Sequence, residues 1–102
     1  MTKRYVLVRV FSKSPLSAEQ FQSTLMDSIR RSFGEFGLAR IGPKLIRFDP
    51  ARAEAVVACN KDGTEDLQAA IGLVSDAQET AITALTMSVS GTLKGLRGKQ
   101  RF

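Results

Sequence analysis

The fold of this chain is decided by residues 44–59, which read Lys-Leu-Ile-Arg-Phe-Asp-Pro-Ala-Arg-Ala-Glu-Ala-Val-Val-Ala-Cys. Two runs within it, 44–49 and 54–59, are rich in apolar and β-branched residues, which predicts two β-strands. Pro50, Ala51 and Arg52 turn the chain between them. Because so short a link joins neighbouring strands that run in opposite directions, the segment predicts an antiparallel hairpin.

A helix is predicted to begin near Ala18, on the N-terminal side of the hairpin. Ser17 and Gln20 have the spacing of a capping box, and Leu16 and Phe21 have the spacing of a hydrophobic staple. Apolar residues then recur at intervals of three and four, which predicts one buried helix face. That face comprises Ala18, Phe21, Leu25, Ile29 and Phe33. The glycines and the proline of residues 33–43 predict a loop between this helix and the hairpin.

A second helix is predicted over residues 64–74, on the C-terminal side of the hairpin. Its apolar face comprises Leu67, Ala70, Ile71 and Val74. Glu65 and Asp66 fall in its first turn, where carboxylates favour the helix dipole. Dipole and solvation therefore account for this acidic cluster, and its spacing does not favour a metal site or a catalytic carboxylate pair.

Two further strands are predicted at the ends of the domain, over residues 5–11 and 80–89. Val6, Val8 and Val10 share one face of the first strand. The other face comprises Tyr5, Leu7, Arg9 and Phe11. This second face is either exposed, where it could stack bases or dock a protein, or covered as in a central strand.

The resulting order is strand, helix, strand, strand, helix, strand. This order predicts an α+β, ferredoxin-like fold, with a four-stranded antiparallel sheet and two helices on one face. RNA-recognition motifs share this fold, but residues 54–59 contain no aromatic side chain that could stack a base. We therefore expect one domain over residues 1–91, followed by a tail over residues 92–102, and no ordinary single-strand RNA reader.

The charge of the chain points to a polyanionic partner. Fifteen Lys and Arg oppose ten Asp and Glu, so the net charge is +5. The tail carries Lys94, Arg97, Lys99 and Arg101 without an acidic residue, between glycines. A cationic segment that leaves a folded domain suits nucleic acid better than a small neutral substrate, although a solvated chain end is the alternative.

Several classes of protein are disfavoured by composition. The chain has one cysteine and no histidine, which excludes an intramolecular disulfide, a Ser-His-Asp triad and a histidine-ligated zinc. Neither a phosphate-binding loop nor a dinucleotide fingerprint is present. No apolar run could span a bilayer and no signal peptide is recognisable, so we expect a cytoplasmic protein that binds no membrane. A stand-alone enzyme is poorly supported.

Three stretches together resemble the small ribonuclease P protein subunit that is called component 2 in archaea and also occurs in the eukaryotic enzyme. They are residues 4–8, residues 33–39 with the following 44–49, and residues 89–94, where Ser-Gly-Thr closes the last strand. The resemblance extends over nearly the whole chain, from about Arg4 to Lys94.

This resemblance implies a non-catalytic subunit of the enzyme that removes the 5′ leader from precursor tRNA. The RNA subunit would hold the Mg²⁺ ions and hydrolyse the phosphodiester, so no cofactor is expected on this chain. The implied partners are the ribonuclease P RNA, a larger TIM-barrel-like protein subunit and, indirectly, precursor tRNA. Two copies of each protein could form a 2:2 heterotetramer.

Residue predictions follow from the charge and from the exposed strand face. The predicted RNA contacts are Lys94, Arg97, Lys99 and Arg101 first, then Lys3 and Arg4, then Arg40 and Lys44. The predicted contacts with the protein partner are Tyr5, Leu7 and Phe11. The alternative function is a ferredoxin-like regulatory module that binds a small ligand or associates with itself through its sheet.

Overall fold

The computed structural model describes residues 2–12, 15–74, 82–93 and 95. The strands are β1 (Lys3–Ser12), β2 (Lys44–Asp49), β3 (Glu54–Asn60) and β4 (Ile82–Ser90). The helices are α1 (Ala18–Ile41) and α2 (Thr64–Val74), and a short 3₁₀ turn (Lys61–Gly63) precedes α2. The predicted order of elements is confirmed.

The four strands form one antiparallel sheet in the order β2-β3-β1-β4. The predicted hairpin is its β2–β3 pair, in which Lys44 lies opposite Ala58 and Asp49 lies opposite Glu54. β1 lies between β3 and β4, so it is a central strand. The predicted α+β, ferredoxin-like fold is confirmed.

The hydrophobic core lies between the sheet and the two helices. Val6, Val8 and Val10 of β1 are buried there, as the alternation along the strand predicts. Phe21, at the start of α1, is fully buried and stacks on Phe48 of β2, with ring centroids 5.6 Å apart. The other buried helix side chains in this core include Leu25, Ile29, Leu67, Ile71 and Val74.

The start of α1 follows the predicted capping box. The Gln20 backbone N–H donates to the Ser17 Oγ (3.1 Å), and the Ser17 N–H donates to the Gln20 Oε1 (2.9 Å). Both halves of the box satisfy backbone donors that would otherwise lack a helical partner. Leu16 packs against the hydrophobic core cluster that contains buried Phe21, which is consistent with the staple.

The loop predicted over residues 33–43 is wrong, because helix α1 extends to Ile41. The helix is interrupted once, at Gly34, whose φ of 71° and ψ of −174° lie outside the helical region. Gly42 ends it in the left-handed conformation, and its N–H donates to the Leu38 carbonyl (2.9 Å). The glycines therefore mark one kink and one helix end instead of a continuous loop.

A β-bulge changes the faces of β4. Between Leu7 and Val8 the register with β4 shifts by one residue. As a result, Val89 packs against the core, whereas Leu85 and Met87 are each 51% exposed on the opposite side. The simple alternation expected for this strand therefore does not hold along its whole length.

Candidate RNA and protein interfaces

Basic side chains meet where four strand ends come together. β1 and β2 begin at this end of the antiparallel sheet, and β3 and β4 finish there. Lys3 lies opposite Asn60, and the Lys61 N–H donates to the Thr2 carbonyl (3.0 Å). We call the side chains collected here the basic end, which comprises Lys3, Arg4, Lys44 and Lys61.

Asn60 holds the basic end together. The Lys3 Nζ donates to the Asn60 Oδ1 (3.0 Å), and the Asn60 Nδ2 donates to the Arg40 carbonyl (3.0 Å). One side chain thus ties the start of β1, the end of β3 and the last turn of α1. Because the amide is neutral, this arrangement positions the Lys3 ammonium without neutralising it.

Lys44 and Lys61 add uncompensated charge. Both are exposed, and neither forms an ion pair with any residue in the described part of the chain. Lys61 was not among the predicted contacts. Its only sequence signal was its position in the turn that follows a predicted strand.

Arg40 differs from the other predicted RNA contacts. Its guanidinium forms an ion pair with the Asp66 carboxylate at the start of α2. This pair joins the end of α1 to α2 and compensates the Arg40 charge. An RNA contact by Arg40 stays a prediction, and it would compete with Asp66.

The predicted contacts in the tail cannot be placed. Lys94, Arg97, Lys99 and Arg101 lie outside the described residues. Their assignment to RNA stays a prediction, as does the domain boundary at residue 91.

The sheet surface that faces away from the helices is called the open face. The side chains described below lie on its strands β1, β3 and β4. Phe11, Leu85 and Met87 expose about half of their surface there (49%, 51% and 51%). Leu7 is only 4% exposed and clusters with Val56 and with half-buried Tyr5. Of the predicted partner contacts, Phe11 is therefore exposed to solvent, whereas Leu7 is buried. Their roles in binding the partner protein stay predictions.

Polar groups also lie on the open face. The Arg9 guanidinium is 3.8 Å from the Glu54 carboxylate, and their side chains are 40% and 11% exposed. The Arg9 Nε, the Glu54 Oε1 and the Ser88 Oγ are buried without a hydrogen-bond partner in the described part of the chain. Buried polar atoms are normally hydrogen-bonded, so a partner at this spot would have groups to satisfy.

Comparison with known proteins decides the family. The chain matches the model of the Rpp14/Pop5 family over residues 4–100. It belongs to the Rpp14/Pop5 family. The chain is 29% identical over 97 residues to ribonuclease P protein component 2 of Pyrococcus furiosus, covering 95% of this chain and 81% of that protein. It is 31% identical over 96 residues to the component 2 of Pyrococcus horikoshii, covering 94% and 80%.

A solved structure shows the same fold. A chain in the cryo-EM structure of yeast ribonuclease MRP superposes with a TM-score of 0.70 at 14% identity, covering 97% of this chain and 91% of that chain. At this identity the likeness concerns the fold alone. The family match and the component 2 relatives confirm the family predicted from the sequence.

In this Rpp14/Pop5 family member, the described residues offer no obvious reactive or metal-binding centre. Among them, no group of three or more Asp, Glu and Cys side chains could hold a metal ion. No helix in the described ranges is long and apolar enough to cross a membrane. What the Rpp14/Pop5 domain presents instead is the basic end and the open face.

The single thiol of this Rpp14/Pop5 domain should be protected. Burial raises the pKa of Cys59 above its ordinary value of 9.0, against opposing effects of a Thr64 hydrogen bond and of Lys3 and Arg4. We expect iodoacetamide at pH 8 to modify the native protein roughly a hundredfold more slowly than the urea-unfolded chain. This ratio corresponds to a local opening that costs about 3 kcal/mol and must occur before the thiol can react. Equal rates, measured by mass spectrometry, would contradict this burial.

The raised pKa of Cys59 also makes the stability of the fold depend on pH. Above about pH 9.0 the unfolded thiol releases its proton while the folded thiol retains it. The folded state then binds more protons, so this group lowers the free energy of unfolding as the pH rises. A Cys59→Ala variant should lack that component of the pH dependence.

Proposed function

We propose that this chain is a non-catalytic protein subunit of ribonuclease P, which binds the catalytic RNA and a larger protein subunit and so supports removal of the 5′ leader from precursor tRNA. The family match over residues 4–100 carries this proposal. The relatives named ribonuclease P protein component 2 confirm the function predicted from the sequence at this level. RNA contacts, partner contacts and stoichiometry belong to the proposal.

The basic end is the RNA-binding surface in this proposal. Its ammonium groups can neutralise phosphates, which releases counterions and makes binding salt-dependent. A-form RNA is recognised mainly by shape and by contacts to phosphate and 2′-hydroxyl groups. Lys3, Arg4 and Lys44, which were predicted, are joined here by Lys61; the tail cations Lys94, Arg97, Lys99 and Arg101 would extend this surface.

Catalysis is assigned to the RNA subunit. The chain has no histidine, so the general acid–base residue used most often in proteins is missing. The Mg²⁺ ions would be held by the RNA, and this chain would contribute positive charge and shape. It would contact precursor tRNA only indirectly.

The open face is assigned to the larger, TIM-barrel-like protein subunit. Exposed Phe11, Leu85 and Met87 give it the apolar surface that protein interfaces bury. Arg9 and Glu54 give it polar groups that would orient a partner. A 2:2 heterotetramer is the assembly we propose.

Reconstitution tests the function directly. The cognate RNA and the larger subunit are mixed with and without this chain, and cleavage of precursor tRNA is followed. We expect the rate to rise only when this chain and its partner are both present, and the two proteins to co-migrate. Unchanged cleavage together with separate migration would refute the proposal.

The alternative, a small-ligand module, receives less support from the described surface. An open cavity of about 250 Å³ lies between the hairpin turn and the start of α1. Among the described residues, its lining carries no charged side chain: Val10, Ser12, Pro15, Leu16, Phe48, Pro50 and Ala53. Ligand sites usually add converging polar groups that fix orientation. A metabolite that raises the melting temperature without RNA would favour this alternative.

A further inference from the structure

The open face changes its charge along the strands. Residues that lie opposite each other in an antiparallel sheet share a face, so the register sorts the side chains into rows across the strands. The row nearest the basic end that spans all four strands holds Lys44, Ala58, Tyr5 and Ser90. The next row holds Arg47, Val56, Leu7 and Ser88. Neither of these rows contains a carboxylate.

The row that follows is different. It holds two carboxylates, those of Asp49 and Glu54, beside Arg9. We call it the acidic row. Because like charges repel, an RNA strand that crosses the open face is favoured on the side of the basic end and disfavoured at the acidic row. The face is thus divided between two kinds of partner.

The cations near the basic end are available to an anion. Lys44 and Arg47 are exposed, and neither forms an ion pair with any residue that the structure describes. The Lys3 ammonium, on the same face two residues before Tyr5, binds the neutral amide of Asn60 and so keeps its charge. Positive charge therefore lies next to Tyr5 on β1 and across the sheet on β2.

Tyr5 is the aromatic side chain among these cations. It is half-buried and packs against Leu7 and Val56, which support the ring. Its neighbours across the strands, Ala58 and Ser90, are small, so neither covers the ring as a large side chain would. An aromatic ring that is held by apolar neighbours and keeps part of its surface exposed is a stacking surface for a nucleobase.

The spacing of these groups suits one unpaired nucleotide. Neighbouring strands lie about 4.8 Å apart, so β2 lies about 10 Å from β1. Extended Lys44 and Arg47 side chains cover much of that distance toward the phosphates on either side of a base at Tyr5. β3 adds Ala58 and Val56 to these rows and no second aromatic ring, so there is a platform for a single base. A base inside a duplex is already stacked, so the base must be unpaired.

We propose that Tyr5 stacks one unpaired base of an RNA strand, whose flanking phosphates are neutralised by the cations around it. These cations are Lys3, Lys44 and Arg47. The inference rests on the proposed function in that RNA is the partner, and it adds a single-stranded nucleotide as the ligand and Arg47 as a contact. The larger protein subunit is then left with the other part of the open face, at Phe11, Leu85 and Met87.

Tyrosine fluorescence tests the stacking in the unmodified chain. Tyr5 is the single tyrosine and there is no tryptophan, so it dominates the intrinsic fluorescence. A short single-stranded oligoadenylate should quench this emission, after correction for absorption by adenine, because a base lies on the ring. An abasic oligomer of the same length has the same phosphates and should bind without quenching. No quenching by oligoadenylate, or equal quenching by both oligomers, would overturn the proposal.

Two matched variants locate the base. Tyr5→Leu removes the ring, and Phe11→Leu makes a similar change on the same strand and the same face, beyond the acidic row. We expect Tyr5→Leu to bind oligoadenylate about tenfold more weakly and the abasic oligomer unchanged, since stacking on a base is lost. Phe11→Leu should bind both oligomers like the parent chain. Equal affinities of the two variants for oligoadenylate would refute the site, and the fluorescence titration decides if Tyr5→Leu does not fold.

Arg47→Ala tests the phosphate contact. Its loss should lower the slope of log affinity for oligoadenylate against log salt by about 0.7, the value for one phosphate of a single strand. Arg31→Ala is the control, because Arg31 is an exposed arginine on α1, on the other side of the sheet. An equal change of slope in both variants would contradict a local contact by Arg47.

Failure of this site differs from failure of the proposed function. If the chain supports cleavage in the reconstitution but Tyr5→Leu weakens only its co-migration with the larger subunit, Tyr5 belongs to the protein interface and the base site is wrong. If the chain neither supports cleavage nor co-migrates, the proposed function fails, and quenching by oligoadenylate still decides whether Tyr5 stacks a base.

Discussion

The triple variant Lys3→Ala/Lys44→Ala/Lys61→Ala should bind ribonuclease P RNA about a hundredfold more weakly at ~0.15 M salt. Each ammonium that neutralises one phosphate contributes about 0.9 to the slope of log affinity against log salt. Three such contacts correspond to about two powers of ten at this salt concentration, and the slope should fall by about 2.7. Filter binding at four or five salt concentrations measures both quantities.

A matched triple variant distinguishes the effect of where the cations lie from the effect of net charge on RNA binding. Arg30→Ala/Arg31→Ala/Arg52→Ala removes the same charge from exposed positions outside the basic end. Arg30 and Arg52 already form ion pairs within the chain, with Asp27 and Glu35 and with Asp49. This control should weaken binding less than about tenfold, as a non-local charge effect screened by salt. Similar losses in both variants would contradict the assignment of the basic end.

Much of the fold could be predicted because its signals are local. The Ser17–Gln20 box and the short Pro50–Arg52 link each act within a few residues, and both predictions hold. The loop predicted over residues 33–43 was wrong because a glycine occurs at a helix kink or a helix end as well as in a loop. Only the backbone angles at Gly34 and Gly42 distinguish these uses.

The basic end was harder to predict because it depends on contacts far apart in the chain. Lys3 and Asn60 meet only after β1 pairs with β3, 57 residues apart in sequence. The Arg40–Asp66 pair spans 26 residues and joins groups that the sequence suggested for different roles. Charge counts showed that a polyanion was a plausible partner, but the sheet register decides which cations share one surface.

The open face illustrates a second limit. Regular alternation along a strand would place Leu85, Met87 and Val89 on one face. The bulge opposite Leu7 and Val8 places Val89 on the core side and leaves the other two exposed. A bulge adds one residue to one strand, and nothing in the local sequence of β4 marks where that happens.

The largest expected effect on stability is that of Phe21→Ala. Phe21 is fully buried and stacks on Phe48, with ring centroids 5.6 Å apart. Removing a buried phenylalanine ring usually costs about 3–5 kcal/mol, from lost transfer free energy and from the cavity that remains. Native domains are stable by about 5–15 kcal/mol, so a large share of the stability would disappear.

Phe36→Ala is the matched control for this prediction. The chemical change is the same and the residue lies in the same helix, but Phe36 is 95% exposed. Its loss should change the free energy of unfolding by less than about 0.5 kcal/mol. Urea unfolding followed by circular dichroism should therefore move the midpoint strongly for Phe21→Ala and hardly for Phe36→Ala. Two large shifts would mean that Phe36 is covered in solution, and two small shifts would mean that the sheet–helix core does not depend on Phe21.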